Sequence, residues 1–186
     1  MERTSTAPTS SSLVTPLAGL GLLVGIVVFG WAAPSSFQLY KMLHVFAAVV
    51  WVGGGALLTV LAILTERSND PVALANIGRQ AELVGTRIFV PSSLVVVVFG
   101  VAMIEKGDLG YGEFWIVAAL IGWAITFLTG IGFFAPQTKR LNTLVEEHGV
   151  EHPIVQAKLK QILLVARLDI AMLLLIVADM AAKPFA

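Results

Sequence analysis

The sequence predicts an all-α membrane protein with five transmembrane helices: an antiparallel four-helix core (the second to fifth apolar runs) plus an added N-terminal helix. Composition is the first reason. Of 186 residues, 57% are hydrophobic and only 13% charged, with a mean hydropathy of +0.87, whereas a soluble domain is roughly one quarter charged. Distribution is the second. The charges collect in short clusters between apolar runs long enough to cross hydrocarbon. The third is that no short alternating segments of the transmembrane-barrel kind occur. In lipid the backbone must satisfy its own hydrogen bonds, so these runs are expected to be helices.

Residues 1–12, rich in Ser, Thr and Pro, read as a disordered cytoplasmic tail. The first run, Leu13 to Ala33, just reaches the roughly 20 residues a span needs and defines an additional helix within 13–36. A signal peptide is the rival reading, with Gly30-Trp31-Ala32 as a cleavage site. The run is longer than the roughly 7 to 15 apolar residues of a signal sequence and is preceded only by Arg3, which favours a retained helix. Residues 37–186 form the four-helix membrane domain. Its second run, Phe37 to Thr65, carries His44. Asp70-Pro71 opens an amphipathic stretch to Glu82, with Asp as N-cap and Pro at the first helical position. The third run, Leu83 to Ile104, holds Arg87 and a kink at Pro91. A polar turn covers Glu105 to Glu113, and the fourth run, Phe114 to Ala135, is stopped by Pro136. Residues 137–160 are polar and partly helical, broken near Gly149 and Pro153. The fifth run, Gln161 to Ala182, contains Arg167, Asp169 and Asp179. No internal repeat stands out.

Basic residues are retained on the cytoplasmic side of bacterial membranes. Segments on the N-terminal side hold Arg3, Arg67, Arg79, Arg87, Lys139, Arg140, Lys158 and Lys160, eight against Lys41, Lys106 and Lys183 opposite, with Arg167 inside a span and left out. The expected location is therefore the bacterial inner membrane, multi-pass, N-terminus cytoplasmic and C-terminus outside. His44 and Asp179 then lie at matching depth near the outer face, where they could pair. Arg87, Arg167 and Asp169 fall toward the inner face as a second polar cluster with Glu82 at its edge.

Much is excluded. With no cysteine, disulfides, Cys-ligated zinc, iron–sulfur clusters and a thiol nucleophile are absent. Net charge is zero and no basic block suggests nucleic acid. No phosphate loop, nucleophile elbow, dinucleotide fingerprint or HExxH occurs, and no lysine sits mid-run for a Schiff base. His148 and His152 are four apart, but Gly149 and Pro153 make a solvated loop the better reading than a metal site.

His44 is the leading site residue, because ionisable groups at membrane depth usually face a protein interior. It shares a helical stripe with Lys41, Ala48, Trp51 and Gly55. Its plain role is to tie helices together; its sharper role is as a haem or metal ligand or proton relay. No other span holds a histidine, so a second axial ligand to haem b would be a methionine (Met42, Met103, Met172 or Met180), a lysine, water or a partner chain. Arg87 and Arg167 read either as snorkelling, ion-paired residues or as a clamp for an anion or haem propionate. Asp169 and Asp179 complete the polar set. Glycine faces on several runs suit helix contacts within the chain, with a membrane-protein partner, or in a homo-oligomer.

Leu43-His44-Val45 followed by Val50-Trp51-Val52-Gly53-Gly54-Gly55, with Arg87-Ile88-Phe89-Val90-Pro91-Ser92 further on, resembles bacterial integral membrane proteins grouped as domain-of-unknown-function family 2269. The likeness spans roughly residues 38 to 182 and implies the four-helix core. More distantly, the His-Trp-Gly order is similar to the copper-resistance D family and to the membrane-bound protoporphyrinogen oxidases, where a helix-borne His is implicated in haem binding. By that similarity His44 is the expected haem ligand. This chain departs from it in lacking further intramembrane histidines and a catalytic base in the third run beyond Arg87. The expected function is thus a membrane protein of unassigned activity binding haem or a metal ion at His44. The alternatives are a non-catalytic accessory subunit of a larger membrane complex or a small transporter.

Overall fold

The computed structural model describes residues 35–68 and 70–184. Four helices, each long and apolar enough to cross a membrane, make up the described chain: α1 (Ser36–Arg67), α2 (Pro71–Lys106), α3 (Phe114–His148) and α4 (Pro153–Ala182). No strand occurs among the described residues. The tail 1–12 and the first apolar run lie outside the described residues.

The helices run to between 30 and 36 residues, roughly 45 to 54 Å at 1.5 Å per residue, against about 30 Å of hydrocarbon. The surplus length lies mainly at one end, where the amphipathic segments Pro71–Val84 and Ala135–His148 extend the bundle. There Ala62, Leu74, Leu141, Val155, Leu159 and Leu163 form a shared core. Large apolar residues such as Leu57, Leu128, Leu168 and Leu175 point outward, as expected where lipid, not water, surrounds the bundle.

The local signals at helix ends behave as their chemistry demands. Asp70 caps α2, accepting from the Val72 and Ala73 N–H groups at 3.0 and 2.9 Å ahead of Pro71. Gly149, at φ +82°, ends α3, a conformation glycine adopts without steric cost. His152 caps α4 by accepting from the Ile154 N–H at 3.3 Å.

One expectation needs correction. Pro136 does not stop its helix: α3 continues through it, as α2 continues through Pro91. In each case a five-residue π segment precedes the proline, Gly85–Phe89 in α2 and Gly130–Phe134 in α3. The Val90 N–H reaches back to the Gly85 carbonyl and the Ala135 N–H to the Gly130 carbonyl, five residues each. The wider turn accommodates a ring that can neither donate nor fit the ordinary spiral. The two stretches share a spacing, Gly85-x-x-x-Phe89-x-Pro91 and Gly130-x-x-x-Phe134-x-Pro136. A third π segment, Val49–Gly53, interrupts α1 without a proline.

Packing differs at the two ends. Toward the 68–70 and 149–152 turns, α1 meets both α2 and α4, and α3 packs on α4. Toward the 107–113 loop, the helices separate into two pairs, α1 on α2 and α3 on α4, with little packing between α1 and α4. The gap between the pairs is the site described next.

Candidate functional site

His44 lies nine residues into α1, on the side where α1 packs against α2. Its Nδ1 is 2.7 Å from the carbonyl oxygen of Val96 on α2. A carbonyl only accepts, so Nδ1 carries the proton and the neutral ring leaves a lone pair on Nε2. In an α-helix the Val96 carbonyl also serves the N–H four residues on, that of Gly100. A side chain at position 100 would crowd the imidazole: a Cβ there would stand 3.2 Å from Nδ1 and 3.3 Å from Cε1 of His44. Glycine therefore leaves space for the ring beside its acceptor.

The ring borders a cavity of about 640 Å³ between the two helix pairs, within the range of small-molecule and cofactor pockets. Valines, Ile104, Leu109, Leu120, Leu173 and Ile176 supply most of its wall, joined by the rings of Phe37, Trp51, Trp115 and Trp123. Trp51 lies in the π segment of α1 and is buried. Trp123 is pinned by its indole N–H, which donates to the Ser93 carbonyl at 3.1 Å. The thioethers of Met103 and Met180 also line the space. Nε2 of His44 has no hydrogen-bond partner among the described residues.

A family model described as a predicted integral membrane protein (DUF2269) matches residues 38–184, which is nearly the whole described bundle. The chain belongs to that family. No curated protein and no solved structure matches it.

Within this DUF2269 bundle the other polar residues are dispersed. His44 and Asp179 do not pair. The His44 ring is engaged by α2, whereas Asp179 continues the Met172–Ile176 stripe of α4, which packs on α3 at Gly122. One Asp179 carboxylate oxygen, Oδ2, is buried and has no hydrogen-bond partner among the described residues. The expected cluster of Arg87, Arg167 and Asp169 also does not form. Arg167 makes an ion pair with Glu66 of α1. Asp169, two residues on, points elsewhere, because residues i and i+2 of a helix do not share a face. Among the described residues neither Asp169 nor the exposed Arg87 makes a hydrogen bond or ion pair. Glu82 accepts from the Asn142 amide at 3.1 Å, tying α2 to α3. Neither arginine and neither aspartate lines the cavity.

Lys41, on the helical stripe of His44, lines it, and so does Lys183, which the sequence did not single out. The Lys183 ammonium sits over the Trp115 ring, 4.9 Å from its centroid, within cation–π range. Glu66, the partner of Arg167, was likewise not anticipated. At the far turn, the His148 and His152 rings approach to 4.9 Å. No group of three or more metal-ligating side chains occurs there or elsewhere among the described residues.

Proposed function

We propose that this DUF2269 chain is a haem-binding module of the bacterial plasma membrane, with His44 as axial ligand. The observation that carries the reading is an unpartnered Nε2 bordering an apolar cavity of about 640 Å³. The Val96 carbonyl does for His44 what outer partners do for ligating histidines generally: it fixes the tautomer and makes the ring a better donor. The donor set favours haem over a bare metal ion. A metal ion needs three or four side chains, which the described residues do not gather. Haem brings its own ring nitrogens and asks only for axial ligands, which Met103 or Met180 could complete. Bound there, haem supplies one-electron chemistry. The residues of this chain hold it, set its ligand field and keep water away.

The eight-to-three bias of basic residues supports a cytoplasmic N-terminus and places the cavity in the outer half of the membrane. Residues 13–33 add a fifth span in this reading. The test is the absorption spectrum and iron content of the purified protein, after expression with a haem supply. The wild type is expected to carry a Soret band that His44→Ala loses. A wild type with neither bound haem nor haem uptake overturns the reading.

An accessory-subunit role has its own support. Among the described residues a Cβ at Gly85, Gly130 or Gly132 would meet nothing within 4 Å, leaving small-residue positions of the kind that transmembrane helices pack on. Cross-linking in native membranes that yields only monomer would remove that alternative.

A further inference from the structure

We propose that Lys41 and Lys183 form a carboxylate clamp at the mouth of the cavity and so set the direction in which an acidic, otherwise apolar ligand lies. This deepens the haem reading and rests on it, since haem is a flat apolar ring with two propionates on one edge. The helices give the cavity a polarity. Lys41 is one helical turn from His44 toward the loop end, and Trp51 is about 10 Å from His44 the other way, at 1.5 Å per residue. On α4, Lys183 lies at the C-terminal cap and Leu173 lies deeper. Trp115, at the start of α3, borders the same rim. Both cations therefore stand at one end and the hydrocarbon wall at the other.

Two further observations point to an anion. Neither lysine makes an ion pair among the described residues, although the chain has as many acidic as basic groups. The acids at that end, Glu105, Asp108 and Glu113, do not line the cavity, nor does Asp179 one turn before Lys183, and Glu105 is engaged by the Tyr111 hydroxyl. Lys183 is also held in place. Its residue adopts a left-handed conformation at φ +43°, and its N–H donates to the Asp179 carbonyl at 2.8 Å. That cap leaves the ammonium over Trp115 rather than out toward headgroups, where a terminal lysine would otherwise reach. The clamp thus belongs to the lysines of the loop end, not to the arginines of the opposite half.

The experiment compares haemin with haemin dimethyl ester, whose propionates carry no charge. Full-length protein in lipid nanodiscs is titrated with each, followed by the Soret band and by tryptophan fluorescence quenching. Wild type is expected to bind haemin about tenfold more tightly than the ester, the scale of one charge-assisted contact. The Lys41→Gln/Lys183→Gln double variant is expected to bind both alike and still show the His44-dependent Soret band. Lys106→Gln, at the same end but outside the cavity, is expected to behave as wild type. Equal binding of haemin and ester by wild type overturns the clamp and leaves the haem reading standing. A preference that survives in the double variant also overturns it. If neither compound binds wild type, the haem reading fails and the clamp fails with it.

Discussion

His44 on α1 donates through Nδ1 to the carbonyl oxygen of Val96 on α2, across 2.7 Å and 52 residues of sequence. This bond joins the two helices at the end where they pack most closely, and it decides which nitrogen of the ring stays free. Gly100 leaves room for the ring beside that carbonyl.

Gly100→Val is expected to break this arrangement. Its branched Cβ enters space already 3.2 Å from the ring, and overpacking of this kind costs about 1 to 3 kcal/mol. Nitrogen-15 NMR of the histidines reads the tautomer directly. Wild type should show the Nδ1-protonated form for His44, and Gly100→Val should lose it. A wild-type ring protonated on Nε2 would contradict the assignment. Gly100→Ala should leave the melting temperature nearly unchanged, because the gain of roughly 0.5 to 1 kcal/mol from replacing a helical glycine offsets the crowding.

Arg167→Ala should destabilise the bundle. The Glu66–Arg167 side chains are 29% and 38% exposed, between the surface and fully buried cases, so losing one partner should cost about 1 to 2 kcal/mol. The Glu66→Ala/Arg167→Ala double variant should lose less than the sum of the single variants. Chemical denaturation of the four proteins in detergent makes the comparison. Strict additivity would show that the pair contributes nothing.

Asp179→Leu should stabilise the protein. The buried Oδ2 has no partner among the described residues, and an unsatisfied buried polar atom costs about 1 to 3 kcal/mol. A higher melting temperature for the leucine variant is the expected result. A fall of several degrees would show that the carboxylate has an essential contact.

Tyr111 gives a pH dependence outside the membrane-spanning segments. Its hydroxyl donates to Glu105, and that bond, followed by burial and the negative charge, pushes the phenol above its usual value near 10. The folded loop therefore holds the proton more tightly than the unfolded chain does. The resulting stability is fully present below the unfolded value and is lost as pH rises through the folded one. Ultraviolet titration near 295 nm should show the Tyr111 midpoint moving down in Glu105→Gln. An unchanged midpoint would remove Glu105 as the cause.

What the sequence made legible follows from signals that act locally. Apolar runs located the spans, Asp70-Pro71 located a helix start, and Gly149 with Pro153 located a turn. His44 was identifiable because a lone imidazole in an apolar run has few alternatives to an interior. Its acceptor was not, because a carbonyl on another helix leaves no mark in side-chain chemistry; Gly100 was the only trace. Pro136 misled for a related reason. A proline after an apolar run usually means a helix end, but Gly130, six residues earlier, begins a π segment that carries the helix through. The arginine cluster failed because depth was inferred without rotation. Arg167 found Glu66, 101 residues away, while its near neighbour Asp169 faced another way.

The π segment Gly85–Phe89 makes chain length part of the design of α2. One residue more or fewer in a helix swings everything beyond it through about 100°. A π turn winds in one extra residue, so deleting a single position within Gly85–Phe89 lets the spiral close as an ordinary helix and leaves Val96 and Gly100 facing α1. The same deletion beyond the π segment, between Val90 and Val96, turns both more than a quarter revolution away and takes the acceptor from His44. Length changes should therefore be tolerated within the π segment and not between it and Val96.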